Sequence, residues 1–115
     1  MNTHYGLLKI LSEESHLPQR ALAQKLGISL GKVNFCLGEL AEKGWIKVQR
    51  FKNAQNKAAY AYLLTPWGME EKARLTLHFL KQKMEEYERL ESEIAELSRE
   101  LQKESPPALR AAVSD

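Results

Sequence analysis

Apolar residues recur at helical spacing in three successive segments within the first 44 residues. The first segment places Thr3 as an N-cap, the second has Pro18 in its first turn, and the third follows Ser29, whose hydroxyl suits an N-cap. Gly27 and Gly44 end the second and third segments, as residues that adopt left-handed backbone angles often do. The pattern predicts three short helices, whose apolar faces comprise Leu7, Leu8, Ile10 and Leu11, then Ala21, Leu22 and Leu26, and then Val33, Leu37, Leu40 and Ala41.

The period then changes from helical to alternating. WIKVQRF alternates between apolar and polar positions, with Ile46 and Val48 on one side, which is typical of a half-buried strand. The polar segment KNAQNK follows, and AAYAYLLT has the composition of a returning strand. These residues predict a β-hairpin whose tip is longer than a two-residue turn.

A long helix is predicted to begin at Thr65-Pro66. No proline follows before Lys103, and no glycine follows Gly68, so one helix can span residues 66–103. Its later apolar residues alternate at spacings of three and four, which is typical of a coiled-coil seam. The predicted seam comprises Leu80, Met84, Tyr87, Leu90, Ile94, Leu97 and Leu101.

The fold class that follows is α+β and mostly α. We predict a domain of three helices and a β-hairpin at residues 1–65, one long C-terminal dimerisation helix that resembles a coiled coil at 66–103, and a flexible tail at 104–115. The charges beside the seam leave the pairing open, because Lys83 occupies a core position and Glu86 would face Glu91 in a parallel pair. We expect a homodimer but not a parallel leucine zipper. The alternative is that this helix packs on a different protein or on the domain of a second subunit.

Charge separates the chain into two halves, although the formal net charge is only +2. Residues 1–66 carry nine Lys or Arg and four Glu, a net +5, whereas residues 67–115 carry eight Lys or Arg and eleven Asp or Glu, a net −3. The segment from Arg20 to Lys57 contains eight basic residues and two Glu. Such a segment favours binding to a polyanion, because the neutralisation of phosphates releases counterions.

The segment from Pro18 to Ile46 has the spacing of a helix-turn-helix. Ala23 is small enough for a close helix crossing, Gly27 permits a sharp turn, and Val33 can fill the angle between the two helices. The third helix would then present its polar face to the major groove of double-stranded DNA. The predicted DNA-binding residues are Arg20, Gly31, Lys32, Asn34, Phe35 and Gly38, with Arg50, Lys52, Asn53 and Lys57 on the hairpin.

The residue types on the third helix suit this task. Asn34 can pair with adenine through two hydrogen bonds, and Lys32 can reach guanine or a phosphate. Phe35 can contact a thymine methyl, or it can pack inside the protein, and the sequence leaves both alternatives open. Gly31 and Gly38 each cost a helix about 1 kcal/mol but permit a close approach of DNA.

The segments LAQKLGISLGKVNFCLGELAEKGWIKVQRF and YAYLLTPWGMEEKARLTLHFLKQKMEEYERL resemble the MarR family, and in particular its EPS-associated transcriptional regulators. The resemblance covers roughly residues 4–101, and GKVN, EKGWIK and LTPWG are its most specific parts. It implies a winged helix-turn-helix in a bacterial regulator of exopolysaccharide genes. It also implies that Lys32, Asn34 and Phe35 lie on the DNA-reading helix and that residues 52–57 lie on the wing. AQNK stands where the family usually has Asp-x-Arg.

Several other classes of protein are not indicated. A single cysteine, Cys36, excludes an internal disulfide and is expected to pack as a small buried residue. The three histidines are far apart in the sequence, so no metal site or other cofactor is predicted. No nucleophile–base pair or phosphate-binding glycine loop indicates an enzyme. No signal peptide or membrane span is found either, so we expect a cytoplasmic protein.

Two functions follow from these observations. The first is a homodimeric, sequence-specific DNA-binding transcriptional regulator. The alternative is a winged-helix adaptor that docks proteins through its long helix. The sequence identifies neither an operator nor a small-molecule effector.

Overall fold

The computed structural model describes residues 2–52 and 58–104. Its elements follow in the order α1 (Thr3–Glu13), α2 (Gln19–Leu26), α3 (Leu30–Glu42), β1 (Ile46–Lys52), β2 (Ala58–Leu64) and α4 (Pro66–Glu104). This order confirms the predicted fold of three helices, a β-hairpin and a long C-terminal helix. The proposed hairpin-tip residues 53–57 and the tail from residue 105 lie outside the described residues.

The starts of α1 and α2 differ slightly from the sequence-based prediction. The Asn2 side-chain oxygen accepts a hydrogen bond of 2.8 Å from the Tyr5 backbone N–H, so Asn2 caps α1 and Thr3 is its first residue. Pro18 occupies the N-cap position of α2, one residue before the predicted first-turn place. Helix α1 therefore begins one residue earlier than predicted, and α2 begins one residue later. Helix ends commonly differ by this much from a sequence-based assignment.

The turn between α2 and α3 has the predicted geometry. Gly27 ends α2 in the left-handed region, with φ at 65°. Ser29 caps α3 by accepting a hydrogen bond of 3.1 Å from the Lys32 backbone N–H. Gly44 also has a positive φ, at 76°, directly after α3. Glycine adopts these angles without the steric cost that a Cβ atom would add, so the two turns are sharp.

An apolar core joins the first three helices to the base of the hairpin. The predicted inner face of α3 is confirmed, because Val33, Leu37 and Leu40 are all buried. In α2, Ala23 is buried and Ala21 is only half-buried, although the spacing had placed Ala21 on the apolar face. Truncation of a fully buried leucine here would cost about 2–5 kcal/mol. The buried cluster comprises Leu7, Leu8, Leu11, Leu22, Ala23, Val33, Cys36, Leu37, Leu40, Ile46 and Tyr62.

The hairpin packs against the rest of the first unit at several points along its length, although the two strands are buried to different extents. β1 and β2 pair in an antiparallel register that runs from Ile46 opposite Leu64 to Lys52 opposite Ala58. Ile46 is buried, but Val48 is 44% exposed, so the predicted apolar side of β1 is buried at one end only. Tyr62, directly opposite Val48, is buried, and farther along β1 the Phe51 ring lies edge-on to the His16 ring with 5.4 Å between their centres.

The first turn of α4 closes against the end of α3. The Thr65 hydroxyl oxygen accepts a hydrogen bond of 3.1 Å from the Gly68 backbone N–H and so caps α4, and the hydroxyl itself donates to the Gly44 carbonyl. A Cβ atom at Gly68 would lie 1.9 Å from the Trp45 carbonyl oxygen. Only glycine permits this approach, which explains in physical terms why glycine stands at position 68.

The chain divides into two units, residues 1–77 and 78–115. The first contains α1 to β2 and the first turns of α4, where Leu75 packs on the core. The second contains the remainder of α4. The sequence-based division at residue 65 lies at the start of α4, twelve residues before this structural division. Within the described parts of the chain, no helix is both long enough and apolar enough to cross a membrane.

Candidate nucleic-acid interface

One face of α3 is exposed and polar except for a single large aromatic side chain. The predicted contact residues Gly31, Lys32, Asn34, Phe35 and Gly38 are all exposed. The helical period explains this, because the buried residues of α3 occupy the opposite face. Phe35 is 65% exposed, so it does not pack in the core, and of its two alternatives only the outward one agrees with the structure.

Asn34 is held in place by a chain of two hydrogen bonds. Its side-chain nitrogen donates to the side-chain oxygen of Gln19 at 3.2 Å. The Gln19 nitrogen in turn donates to the Tyr62 hydroxyl at 3.0 Å. These two hydrogen bonds therefore link α3 to the start of α2 and to strand β2.

This arrangement leaves Asn34 able to pair with a base. An Asn amide has two N–H donors and one carbonyl acceptor, and Gln19 uses only one of the donors. The second N–H and the carbonyl oxygen are the two groups that pair with adenine. Sequence reasoning missed Gln19, because it lies 15 positions from Asn34 and only the crossing of α2 and α3 brings them together.

The basic residues of the first unit between residues 20 and 50 fall into two groups. Lys25 forms an ion pair with Glu14 at 3.7 Å, and Lys43 lies 4.8 Å from the centre of the Trp45 ring. Within residues 2–52 and 58–104, no ion pair involves the other four exposed cations of this unit between residues 20 and 50. These cations are Arg20, Lys32, Lys47 and Arg50.

Arg50 lies on the face of the hairpin that reaches Gln19. Arg50 is directly opposite Tyr60 in the strand register, and opposed residues project from the same face of a sheet. Tyr60 stacks on Tyr62 at 6.5 Å between ring centres, and Tyr62 bonds to Gln19. The predicted wing residues Asn53 and Lys57, and the side chain of Lys52, lie outside the described residues.

The two glycines of α3 have no role inside the described structure. A Cβ atom built at Gly31 or at Gly38 would meet no other atom within 4 Å. The two residues are seven positions apart, so they lie on the same side of the helix as Asn34 and Phe35. The internal packing of the described residues therefore does not explain why glycine stands at either position.

The first unit matches a family model described as winged helix-turn-helix DNA-binding, over residues 2–47. The chain contains a winged helix-turn-helix domain. In this domain α2 and α3 form the helix-turn-helix, α3 is its second helix, and β1 and β2 form the wing. No curated protein matches the chain in sequence.

Solved structures of transcriptional regulators share this fold. The PcaV regulator from Streptomyces coelicolor has a TM-score of 0.63 at 16% identity, covering 90% of this chain and 75% of that one. The adhesin competence repressor AdcR from Streptococcus pyogenes has a TM-score of 0.60 at 22% identity, covering 80% and 64%. A MarR/EmrR family regulator from Acinetobacter sp. ADP1 has a TM-score of 0.55 at 25% identity, covering 88% and 72%.

The second unit presents the predicted seam to solvent. Leu97 is 69% exposed, and Leu101 at the end of the helix is half-buried. Lys83, which the heptad pattern places at a core position, forms an ion pair of 3.2 Å with Glu86 on the same helix. The exposed seam residues are Leu80, Met84, Tyr87, Leu90, Ile94 and Leu97.

The winged helix domain also brings together three side chains that the sequence keeps apart. The His4 Nε2 atom on α1 lies 3.0 Å from a Glu39 carboxylate oxygen on α3, although the two residues are 35 positions apart. The Cys36 thiol lies beside both. Cys36 is buried, as predicted, and burial together with the charge of Glu39 raises the pKa of its thiol, while Lys32 acts in the opposite direction. Spacing along the chain could not reveal this cluster, because it depends on how α1 packs against α3.

Proposed function

We propose that this protein is a homodimeric, sequence-specific DNA-binding transcriptional regulator of the MarR type that acts in the cytoplasm. In this proposal the recognition helix α3 enters the major groove of double-stranded DNA, and the wing contacts the adjacent backbone. The observation that carries it is the outward face of α3, where Phe35 is exposed and Asn34 is oriented by Gln19.

Direct reading of bases is supported by the chemistry of this face. An exposed phenylalanine gains free energy when it meets an apolar group such as the thymine methyl. The hydrogen bond from Asn34 to Gln19 restricts the Asn34 side chain before DNA arrives, which lowers the entropy lost on binding. Together the two residues favour a site that contains adjacent A·T pairs.

Affinity for the phosphate backbone of DNA is supported by the four cations that have no ion-pair partner among the described residues. Arg20 lies at the start of α2, Lys32 in the first turn of α3, and Lys47 and Arg50 on β1. Each phosphate that such a cation neutralises adds about −0.9 to the slope of log affinity against log salt. Contacts from all four would give a slope of about −4 per chain.

Dimerisation is supported by the exposed seam on α4. Burial of each large apolar side chain contributes roughly 1.5–3 kcal/mol, so pairing of the seam is favourable. A twofold dimer would place two recognition helices on half-sites about 34 Å apart along the DNA.

The target genes follow from the resemblance to EPS-associated regulators alone. We propose that the regulated promoters belong to exopolysaccharide genes. Chromatin immunoprecipitation from the source bacterium should recover those promoters. Recovery of unrelated promoters would refute the subgroup and leave DNA binding intact.

DNA binding itself is tested by selection from a random-sequence duplex library, followed by fluorescence anisotropy at several salt concentrations. We expect an enriched site with two related halves and an affinity that falls as salt rises. Asn34→Ala should relax the preference at one base position by about 1–3 kcal/mol, whereas the control Gln82→Ala, on α4, should behave as the wild type. If the protein binds no DNA at low salt, the regulator proposal fails and the adaptor alternative gains support.

A further inference from the structure

His4, Cys36 and Glu39 present three different metal-binding atoms to one small volume of the winged helix domain. The His4 imidazole nitrogen, the Cys36 Sγ atom and a Glu39 carboxylate oxygen all lie within 4.8 Å of one another. The ligands come from two elements, because His4 is on α1 and the other two are on α3. Cys36 and Glu39 are three positions apart on a helix, so their side chains project from the same side.

The distances suit a tetrahedral ion after a small adjustment. Zinc binds histidine nitrogen and carboxylate oxygen at about 2.0–2.2 Å and thiolate sulfur at about 2.3 Å, so neighbouring ligand atoms stand roughly 3.5 Å apart. The His4 Nε2 atom and the Glu39 Oε1 atom are already 3.0 Å apart. The remaining separation of up to 4.8 Å can close by side-chain rotation, because the His4 and Glu39 side chains are 29% and 36% exposed.

The chemistry of the three ligand atoms indicates which class of metal ion they would bind. A thiolate and a carboxylate carry two negative charges, which balance one divalent cation, and a neutral imidazole adds none. Sulfur and imidazole ligands favour zinc-class transition metals over Mg²⁺ and Ca²⁺, which prefer oxygen. The partial exposure of His4 and Glu39 gives an ion access from solvent, while Cys36 anchors the site in the core.

We propose that His4, Cys36 and Glu39 bind one divalent transition-metal ion of the zinc class, with a fourth position open to water or an external ligand. Binding displaces the thiol proton to the buffer. It also joins α1 to the recognition helix through two residues that lie within one turn of Phe35. The proposal does not depend on the proposed regulatory function.

The test is a titration of the tag-free, reduced, full-length protein with Co²⁺, which takes the same ligands as Zn²⁺ and is coloured. We expect one Co²⁺ per chain, visible bands of a tetrahedral ion, and a near-ultraviolet charge-transfer band from the thiolate. Zn²⁺ should displace the cobalt. His4→Gln and Glu39→Gln should each weaken Co²⁺ binding at least about tenfold, because loss of a supporting residue alone costs about 10–100-fold. Cys36→Ser should abolish the charge-transfer band.

Controls separate this site from adventitious binding and from misfolding. His16→Gln removes an exposed histidine outside the cluster and should bind Co²⁺ as the wild type does. His4→Gln and Glu39→Gln alter partly exposed side chains, so their metal-free circular dichroism should match the wild type. The proposal is overturned if no charge-transfer band forms with the wild type, or if His4→Gln or Glu39→Gln binds Co²⁺ as tightly as the wild type. Either result would leave His4 and Glu39 as a simple hydrogen-bonded pair and would leave the DNA-binding proposal unaffected.

Discussion

Substitution of Gly38 by alanine should change stability and DNA affinity in opposite directions. Gly38 lies in the middle of α3, is exposed, and has no atom within 4 Å of the position that a Cβ would occupy. Alanine is favoured over glycine in a helix by about 1 kcal/mol, so the free protein should become more stable. For a domain of 60–100 residues this corresponds to a rise in Tm of about 4–8 °C, and the first unit has 77 residues.

The same methyl group should weaken DNA binding. Gly38 is on the side of α3 that carries Asn34 and Phe35, so its Cβ would point towards the bases or the groove wall. Insertion of a methyl group into a well-packed contact typically costs about 1–3 kcal/mol. That range corresponds to a fall in affinity of about 5- to 150-fold.

The assay combines thermal unfolding of the free protein with fluorescence anisotropy on the selected duplex. A series from Gly38→Ala to Gly38→Ser and Gly38→Leu provides an internal control, because affinity should fall as the side chain grows while every variant stays folded. If all three variants bind as the wild type does, Gly38 does not face DNA and the placement of α3 in the groove is refuted. A lower Tm for the alanine variant would instead contradict the exposed helical position of Gly38.

Four further perturbations test separate parts of the structure. Gln19→Ala should lower discrimination at the same base position as Asn34→Ala, since Gln19 orients that amide, and a loss at a different position in a binding-site selection would contradict this. Arg50→Ala should weaken binding to all sequences alike and reduce the salt slope by about one, whereas an unchanged slope in anisotropy titrations would exclude a phosphate contact. Leu97→Glu should convert a dimer to a monomer in sedimentation, and an unchanged mass would exclude the seam. Gly68→Ala should lower the free energy of unfolding by about 3 kcal/mol in urea titrations, because its Cβ would meet a main-chain oxygen 1.9 Å away, and a wild-type midpoint would contradict that close approach.

Local signals determined the order of elements and the buried and exposed faces of α3. The period of apolar residues in α3 depends only on helical geometry, so burial of Val33 and Leu37 and exposure of Asn34 followed directly from spacing. Gly27 and Ser29 also act locally, since each satisfies the backbone of its own turn. These features involve residues within about one helical turn of each other, which is the range that a single sequence reveals.

Strand burial was predicted less well, because it depends on what covers each face. The alternation in β1 indicated one buried side, yet Val48 is 44% exposed although Ile46 on the same side is buried. The pattern of a strand records which residues share a face. It does not record which positions along that face the neighbouring elements cover, and that depends on the tertiary packing.

The sequence by itself therefore determined three helices, a hairpin, a long helix with an apolar stripe, and a face of α3 on which Asn34 and Phe35 point outward. Only the tertiary structure placed Gln19 against Asn34, His4 against Glu39, and Gly68 against the Trp45 carbonyl. Each of these contacts joins distant parts of the chain, at separations of 15, 35 and 23 positions. Such contacts depend on the angle and distance at which the elements pack, and those quantities arise from the whole core and not from any local pattern of residues.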